Sequence, residues 1–178
     1  MNFRVILKSV AILFTLLSFS GFLQAEDVGL TTKVLSARYL LDVKTGKLID
    51  RPFVVIEGNR IKKITQNRSD LPSVSEIIDL GSTTLLPGLM DMHTHLMAPL
   101  SSDYYSSLFQ SPHRSVIGGV VNAERTLMAG FTVVRDVGAS DYQDVALRNA
   151  INAGEVLGPR MAVSGPALGI TGGHCDDN

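Results

Sequence analysis

Apolar, strand-like runs alternate with helix-like segments over the second half of the chain. The apolar runs lie at 89–92, 131–134 and 161–163. A strand that is apolar on both faces is typical of a parallel sheet covered on both sides. Strands separated by helices build such a sheet through right-handed crossovers. The sequence therefore predicts an α/β fold with three parallel strands.

The two intervening helices have recognisable ends. The first covers about residues 114–129, and Gly130 follows it as a C-terminal cap. We expect Ser140 or Asp141 to cap the second helix, which Gly154 closes. Residues three or four apart give the first helix an apolar face, formed by Val116, Val120, Ala123 and Leu127.

Short β-strands and turns precede this region. Gly58-Asn59 separates two apolar runs and is a two-residue hairpin signal, because glycine accepts the positive φ of such a turn. We expect a meander of small antiparallel strands within residues 26–83, and a change of architecture for residues 84–178. The strand-like runs cover residues 33–41, 53–56, 60–64 and 76–80, with a turn at 44–47.

The first 25 residues have the composition of an export signal. Arg4 and Lys8 are the only charges, and an uncharged apolar run ends at Ala25. This pattern predicts a signal peptide over residues 1–25 and an exported protein, periplasmic or secreted. An uncleaved membrane anchor is the alternative, since the run reaches the lower edge of the length that spans a bilayer. The export signal is the only membrane association that we expect.

Charge and cysteine content exclude several classes of function. The chain has 16 Lys and Arg against 17 Asp and Glu, a net charge of -1, and no basic run, so we expect no nucleic-acid partner. Cys175 is its only cysteine, which excludes an intramolecular disulfide and a zinc site built from several thiolates. A bound metal must be held by histidines and carboxylates.

Two histidines stand at the carboxyl end of the first apolar strand. His93 and His95 are two residues apart, and alternate residues of a strand point to the same face. Both imidazoles are therefore expected to project together and to bind one cation through ring nitrogens. A pair of surface or hydrogen-bonded histidines is the plain alternative. The βα context favours the metal site, since catalytic groups gather at the carboxyl ends of barrel strands.

Three ordered motifs together resemble one enzyme family. Residues 85–95 read LLPGLMDMHTH, residues 122–138 read NAERTLMAGFTVVRDVG, and residues 165–174 read GPALGITGGH. The first is similar to the first-strand motif of the amidohydrolase superfamily. The other two resemble its Xaa-Pro dipeptidase, or prolidase-like, branch, close to imidazolonepropionase. The resemblance extends over residues 31–178.

The resemblance implies a fold and a chemistry. The family has a (β/α)8 barrel with one or two divalent metals, usually zinc, and hydrolyses C–N bonds of dipeptides and related amides. His93 and His95 would be metal ligands, and His174 would bind the substrate. Residues 26–83 would be a β-sandwich segment, and residues 84–178 the first three strands of an incomplete TIM-like barrel.

The family's later elements have no counterpart among these residues. They are the fourth-strand lysine, the histidines of strands five and six, the eighth-strand aspartate that acts as general base, and the strands that complete the sandwich. A complete (β/α)8 barrel needs about 250 residues, and the chain has 178. We therefore expect an N-terminal piece of a metal-dependent hydrolase, with no catalytic residue of its own and inactive alone.

Several alternatives stay open. The protein could be an imidazolonepropionase-like cyclic amide hydrolase or a non-catalytic exported binding module. It could also form a homo-oligomer. Cys175 beside His174 invites a cysteine-nucleophile reading, although adjacent residues rarely place a base against a nucleophile. Arg135 and Asp136 end the second apolar strand, where they could contact substrate, form an ion pair or cap a helix. His113 is expected at the start of a helix and exposed.

Overall fold

The computed structural model describes residues 32–73, 75–99, 111–173 and 175. The predicted export signal and His174 lie outside the described residues. The chain divides into two compact units, Met1–Arg38 with Asp50–Ser82 and Tyr39–Ile49 with Thr83–Asn178. No helix in the described ranges combines the length and the apolar character needed to cross a membrane.

The first unit contains a four-stranded sheet. Its strands are β1 (Thr32–Ser36), β4 (Phe53–Glu57), β5 (Arg60–Thr65) and β6 (Glu76–Asp79), in the order β5-β4-β1-β6. β4 and β5 pair antiparallel through the turn at Gly58, whose φ of 57° confirms the predicted hairpin. Val34, Val54 and Val55 are buried, so a small apolar core stabilises this sheet.

The expected meander is wrong in one strand pair. β6 pairs with β1 in parallel, not antiparallel. The polar connection from β5 to β6 contains a short 3-10 turn at Arg68–Asp70. It carries the chain from β5, at one edge of the sheet, to β6 at the opposite edge, beside β1. A parallel pair needs such a crossover, whereas an antiparallel pair needs only a tight turn.

The predicted strand over residues 33–41 is two strands in two sheets. β1 ends at Ser36, and β2 (Tyr39–Asp42) belongs to a second sheet with β3 (Lys47–Asp50) and β7 (Thr84–Leu85), in the order β3-β2-β7. The parallel pairing of β2 with β7 groups residues 39–49 with the second unit. The unit boundary in the structure therefore differs from residue 83/84, and the division into functional domains stays a prediction.

The turn between β2 and β3 lies at the predicted position. The carboxylate of Asp42 accepts a hydrogen bond from the backbone N–H of Lys44 at 3.0 Å and from Thr45 Oγ1 at 2.7 Å. Both contacts lower the pKa of Asp42 below its ordinary value, that of the Thr45 hydroxyl most. Local hydrogen bonds of this kind favour a turn over a continued strand.

The second unit also contains the predicted parallel sheet. Its strands are β8 (Leu89–Thr94), β9 (Phe131–Asp136) and β10 (Arg160–Val163), and β9 pairs in parallel with both neighbours. Helix α1 (Pro112–Met128) connects β8 to β9, and helix α2 (Gln143–Ala153) connects β9 to β10. The mixed α/β architecture is confirmed. The core residues are Leu96, Met97, Ala123, Val134, Ala139, Leu147 and Met161.

The start of α2 differs from the prediction. Neither Ser140 nor Asp141 caps it, because a 3-10 turn at Ser140–Tyr142 precedes the helix. Asp144, in the first turn of α2, instead accepts the N–H of Val145 at 2.8 Å through one oxygen. Its other oxygen accepts the N–H of Gly165 at 2.8 Å, which ties α2 to the segment after β10.

Gly88 shows why a glycine precedes β8. A Cβ at this position would overlap the side chain of Thr132 in β9. The close approach of the two strands therefore requires a residue without a side chain.

Candidate metal centre

The two predicted metal ligands lie together at the carboxyl end of β8. His93 is within the strand, and His95 follows its last residue. Their ring centres are 5.4 Å apart with the ring planes at 71°. Two imidazoles that share one tetrahedral ion, each through a nitrogen about 2.0 to 2.1 Å from it, have ring centres about 5 Å apart. The observed spacing therefore fits two ligands of a single ion.

One ring nitrogen of His95 is already bound to the protein. His95 Nδ1 lies 3.1 Å from the carbonyl oxygen of Gly138, in the loop after β9. A carbonyl only accepts, so Nδ1 carries the proton in this contact, and in the neutral imidazole Nε2 then has the free lone pair. Histidine ligands of metals commonly donate their second N–H to a carbonyl or carboxylate in this manner.

His93 is held through its main chain. Its backbone N–H donates to Asp91 Oδ1 at 3.0 Å. The register between β8 and β9 shifts between Asp91 and Thr94, which marks a bulge in the strand immediately ahead of the two imidazoles. Bulges redirect side chains at strand ends and are common beside active sites.

The end of β9 fixes the end of β8 through a set of hydrogen bonds. Arg135 Nε donates to Met92 O at 2.7 Å, and Thr94 Oγ1 donates to Arg135 O at 3.2 Å. The N–H of Val137 donates to Thr94 O at 3.0 Å. These bonds satisfy backbone groups that the bulge leaves outside the regular ladder. Arg135 therefore has a structural contact here, and the ion pair considered for it is not among the described ones.

Asp136 is a buried carboxyl behind this strand end. Its side chain is inaccessible to solvent, and its Oδ2 accepts the N–H of Leu96 at 2.7 Å. Oδ1 has no hydrogen-bond partner among the described residues. Burial raises the pKa of Asp136, and the N–H groups of Leu96 and Gly138 oppose the rise. Asp136 is thus bound to backbone and caps no helix.

Asn122 is a site residue that the sequence reasoning missed. It lies on the buried face of α1, and its Nδ2 donates to Leu96 O at 2.8 Å and to Ala98 O at 3.0 Å. It thereby holds the segment that follows the second histidine. A polar residue between Gly119 and Ala123, both buried, was the signal that could have revealed it.

The remaining candidates have different outcomes. His113 is exposed in the first turn of α1, as expected. Cys175 is half-buried, while the base proposed for it, His174, lies outside the described residues. Within the part of the chain that the structure describes, no three side chains of His, Cys, Asp or Glu group closely enough to hold a metal. The described residues thus bring two imidazoles together, without a third grouped ligand.

Comparisons with known proteins show the family to which the chain belongs. The sequence profile of the amidohydrolase family matches residues 84–178, more than half of the chain. Dihydroorotase from Syntrophus aciditrophicus is 30% identical over 84 residues, 43% of this chain and 20% of that protein. Imidazolonepropionase from Streptomyces avermitilis is 26% identical over 133 residues, 73% of this chain and 32% of that protein.

A solved structure is similar over most of the fold. A prolidase complexed with N-methylphosphonate-L-proline superposes with a TM-score of 0.70 at 36% identity, over 81% of this chain and 34% of that one. The chain therefore spans about a third or less of the length of these proteins. The chain belongs to the amidohydrolase family. Its relatives are hydrolases, and its structural neighbours are prolidase-like, which confirms the resemblance found in the three motifs.

Proposed function

We propose that the protein is a metal-dependent amidohydrolase that hydrolyses C–N bonds of dipeptides or related amides, as an Xaa-Pro dipeptidase does. The observation that carries this proposal is the pair formed by His93 and His95, whose ring spacing of 5.4 Å suits one shared ion. The similarity to a prolidase that was solved in complex with N-methylphosphonate-L-proline supports the substrate class.

The chemistry of the ligands favours zinc. A zinc ion on nitrogen ligands supplies a water with a pKa near 7 and polarises a carbonyl. In this chain, Gly138 O accepts the Nδ1 proton of His95, so Nε2 would be the nitrogen that binds the ion. The Asp91 carboxylate fixes the main chain at His93. These residues orient two ligands, and the general base and the other ligands of the family motif belong to later elements.

The finer fold assignment is part of the proposal. The antiparallel pairs in the first unit suit a β-sandwich segment over residues 26–83, and β8 to β10 suit the first three strands of a (β/α)8 barrel over residues 84–178. We also propose export through residues 1–25, on the composition of that segment. His174 is proposed as a substrate-binding residue on the family motif alone.

The test is turnover of Ala-Pro by the protein expressed from its complete reading frame and loaded with zinc. We expect hydrolysis that a chelator abolishes and added zinc restores. His93→Ala combined with His95→Ala should lower kcat by at least about a hundredfold, since removal of metal ligands removes the activated water. His113→Ala is the matched control and should retain wild-type turnover. Unchanged turnover in the double variant would refute the proposal.

The imidazolonepropionase-like alternative is favoured by the match to that enzyme over 73% of the chain. The same assay with a cyclic amide substrate separates it from dipeptide hydrolysis, because the two substrates differ in shape around the scissile bond. The non-catalytic binding module is the outcome in which neither substrate is turned over.

Inactivity of residues 26–178 alone is a further part of the proposal. The described residues hold two imidazoles and no grouped third ligand, and a structural or catalytic zinc needs at least three protein ligands. The isolated segment with added zinc should therefore not hydrolyse Ala-Pro above the rate of its His93→Ala variant. Zinc-dependent turnover that this variant abolishes would contradict the expectation.

A further inference from the structure

A cavity of about 340 Å³ lies beside His95 in the second unit. Its apolar wall is formed by Met97, Pro99, Pro112 and Ala139. Among its described lining residues none is Lys, Arg, Asp or Glu. The described part of the cavity surface is therefore uncharged, and a carboxylate or an ammonium would lose its hydration there without gaining a counter-charge from these residues.

Gln143 lines this cavity, and its side-chain amide is available to a ligand there. It is the first residue of α2 and is only 7% exposed. No hydrogen bond joins its side-chain amide to any described residue. The other buried polar side chains in the described ranges, Asn122, Asp136 and Asp144, all bond to backbone. The amide atoms of Gln143 are not among the described buried polar atoms that lack a partner, so they face the solvent of the cavity and can bond to a ligand that replaces it.

Ser115 adds a second polar group to the same cavity. Its hydroxyl donates to Met97 O at 2.9 Å, so its oxygen is left as an acceptor. Gln143 offers both a donor and an acceptor. A primary carboxamide carries a carbonyl and an NH₂ group on one edge, so it can pair with the amide of Gln143 in both directions and donate its second hydrogen to Ser115.

We infer that this cavity is a substrate subsite that binds a primary carboxamide, such as the side chain of a Gln or Asn residue next to the scissile bond. Gln143 is then a specificity-determining residue. The inference rests on the proposed function, because it takes the reacting group to lie at His93 and His95, and His95 lines the cavity.

The test compares three dipeptides that end in proline and begin with Gln, Glu or Met. Their first residues are similar in length and differ in the terminal group. With the zinc-loaded protein from its complete reading frame, kcat/KM for Gln-Pro should exceed that for Glu-Pro and Met-Pro by about tenfold or more. Gln143→Met should remove the preference for Gln-Pro over Met-Pro. Asn149→Met, which changes an exposed amide of the same helix, should leave it intact.

A second measurement keeps the inference testable if no dipeptide is hydrolysed, which would refute the proposed function. Saturation-transfer NMR should detect binding of glutaminamide to the wild-type protein and loss of that signal in both Gln143→Met and Gln143→Glu. Equal kcat/KM for the three dipeptides overturns the subsite and leaves the hydrolase proposal standing. Glutaminamide binding that is absent, or unchanged in the variants, also overturns the subsite.

Discussion

The two compact units differ in whether their interacting polar and charged side chains lie at the surface or in the interior. The ion pairs described in the structure all lie in the first unit, on exposed side chains such as Lys33 with Glu76. The buried polar side chains among the described residues all lie in the second unit: Asn122, Asp136, Gln143 and Asp144. Buried polar groups cost stability unless they are bonded. Asn122 and Asp136 bond to the segment that follows the histidine pair, which supports the proposal that the second unit carries the metal site.

The largest effect on stability is expected for Asp136→Ala. The variant leaves the buried N–H of Leu96 without its acceptor, so the free energy of unfolding should fall by about 2 to 3 kcal/mol. Urea unfolding followed by circular dichroism measures the change. Asp136→Asn retains an acceptor oxygen and should lose less. A loss in Asp136→Ala no larger than in Asp136→Asn would show that the hydrogen bond is not what stabilises this strand end.

Asn122→Leu should have a smaller effect, about 1 to 2 kcal/mol. The substitution keeps the volume of the side chain but leaves the carbonyls of Leu96 and Ala98 without their donor. Hydrogen exchange at residues 95–98 should increase in parallel with the loss seen by urea unfolding. Val121→Leu, on the exposed side of the same helix, is the control and should change neither quantity.

The exposed pairs of the first unit should contribute least. Lys33 Nζ lies 3.6 Å from Glu76 Oε2 on side chains that are half or more exposed. Lys33→Met should change the free energy of unfolding by less than about 1 kcal/mol, because solvent screens such a pair. A loss as large as that of Asn122→Leu would erase the contrast between the two units.

Asp70 gives the first unit a contribution that depends on pH. The hydrogen bonds from Lys63 and Thr65 hold the pKa of Asp70 below its ordinary value of 3.8. A carboxylate with a lowered folded pKa stabilises the protein above its unfolded pKa, and this stability is lost as the pH falls through the folded pKa. The difference in urea midpoint between wild type and Asp70→Asn should therefore shrink below pH 3.8. A difference that is independent of pH would contradict this assignment.

Local patterns were sufficient to predict much of the fold. Residues close together in sequence are enough to recognise an apolar strand or a tight turn. They therefore predicted the strands β8, β9 and β10 and the hairpin turn at Gly58. The parallel pairing of β1 with β6 depends on contacts between residues about 43 positions apart, as in the bond from Ser36 to Asp79, and no local period contains it. The prediction of one strand over residues 33–41 was wrong for the same reason, since the two halves of this segment pair with different strands.

The histidine pair of the proposed site could be found from the sequence, but the contacts that hold the pair in place could not. Spacing alone placed His93 and His95 on one side of a strand. The contact of His95 with Gly138 depends on the bulge in β8, which shifts the register by one residue. The sequence did not reveal the burial of Gln143, because this burial depends on where α2 begins. The 3-10 turn before the helix, which has Asp141 and Tyr142 at positive φ, sets that position. Asp tolerates this conformation better than most residues, but a bulky residue such as Tyr142 rarely adopts it without tertiary constraint.

The central claim is that His93 and His95 bind one divalent ion. The direct measurement is the zinc content of the protein after dialysis against the metal, determined by mass spectrometry for wild type, for the variant His93→Ala with His95→Ala, and for His113→Ala. The account predicts that the double variant loses at least one equivalent of zinc while His113→Ala retains the wild-type content. Equal zinc content in all three proteins would contradict it.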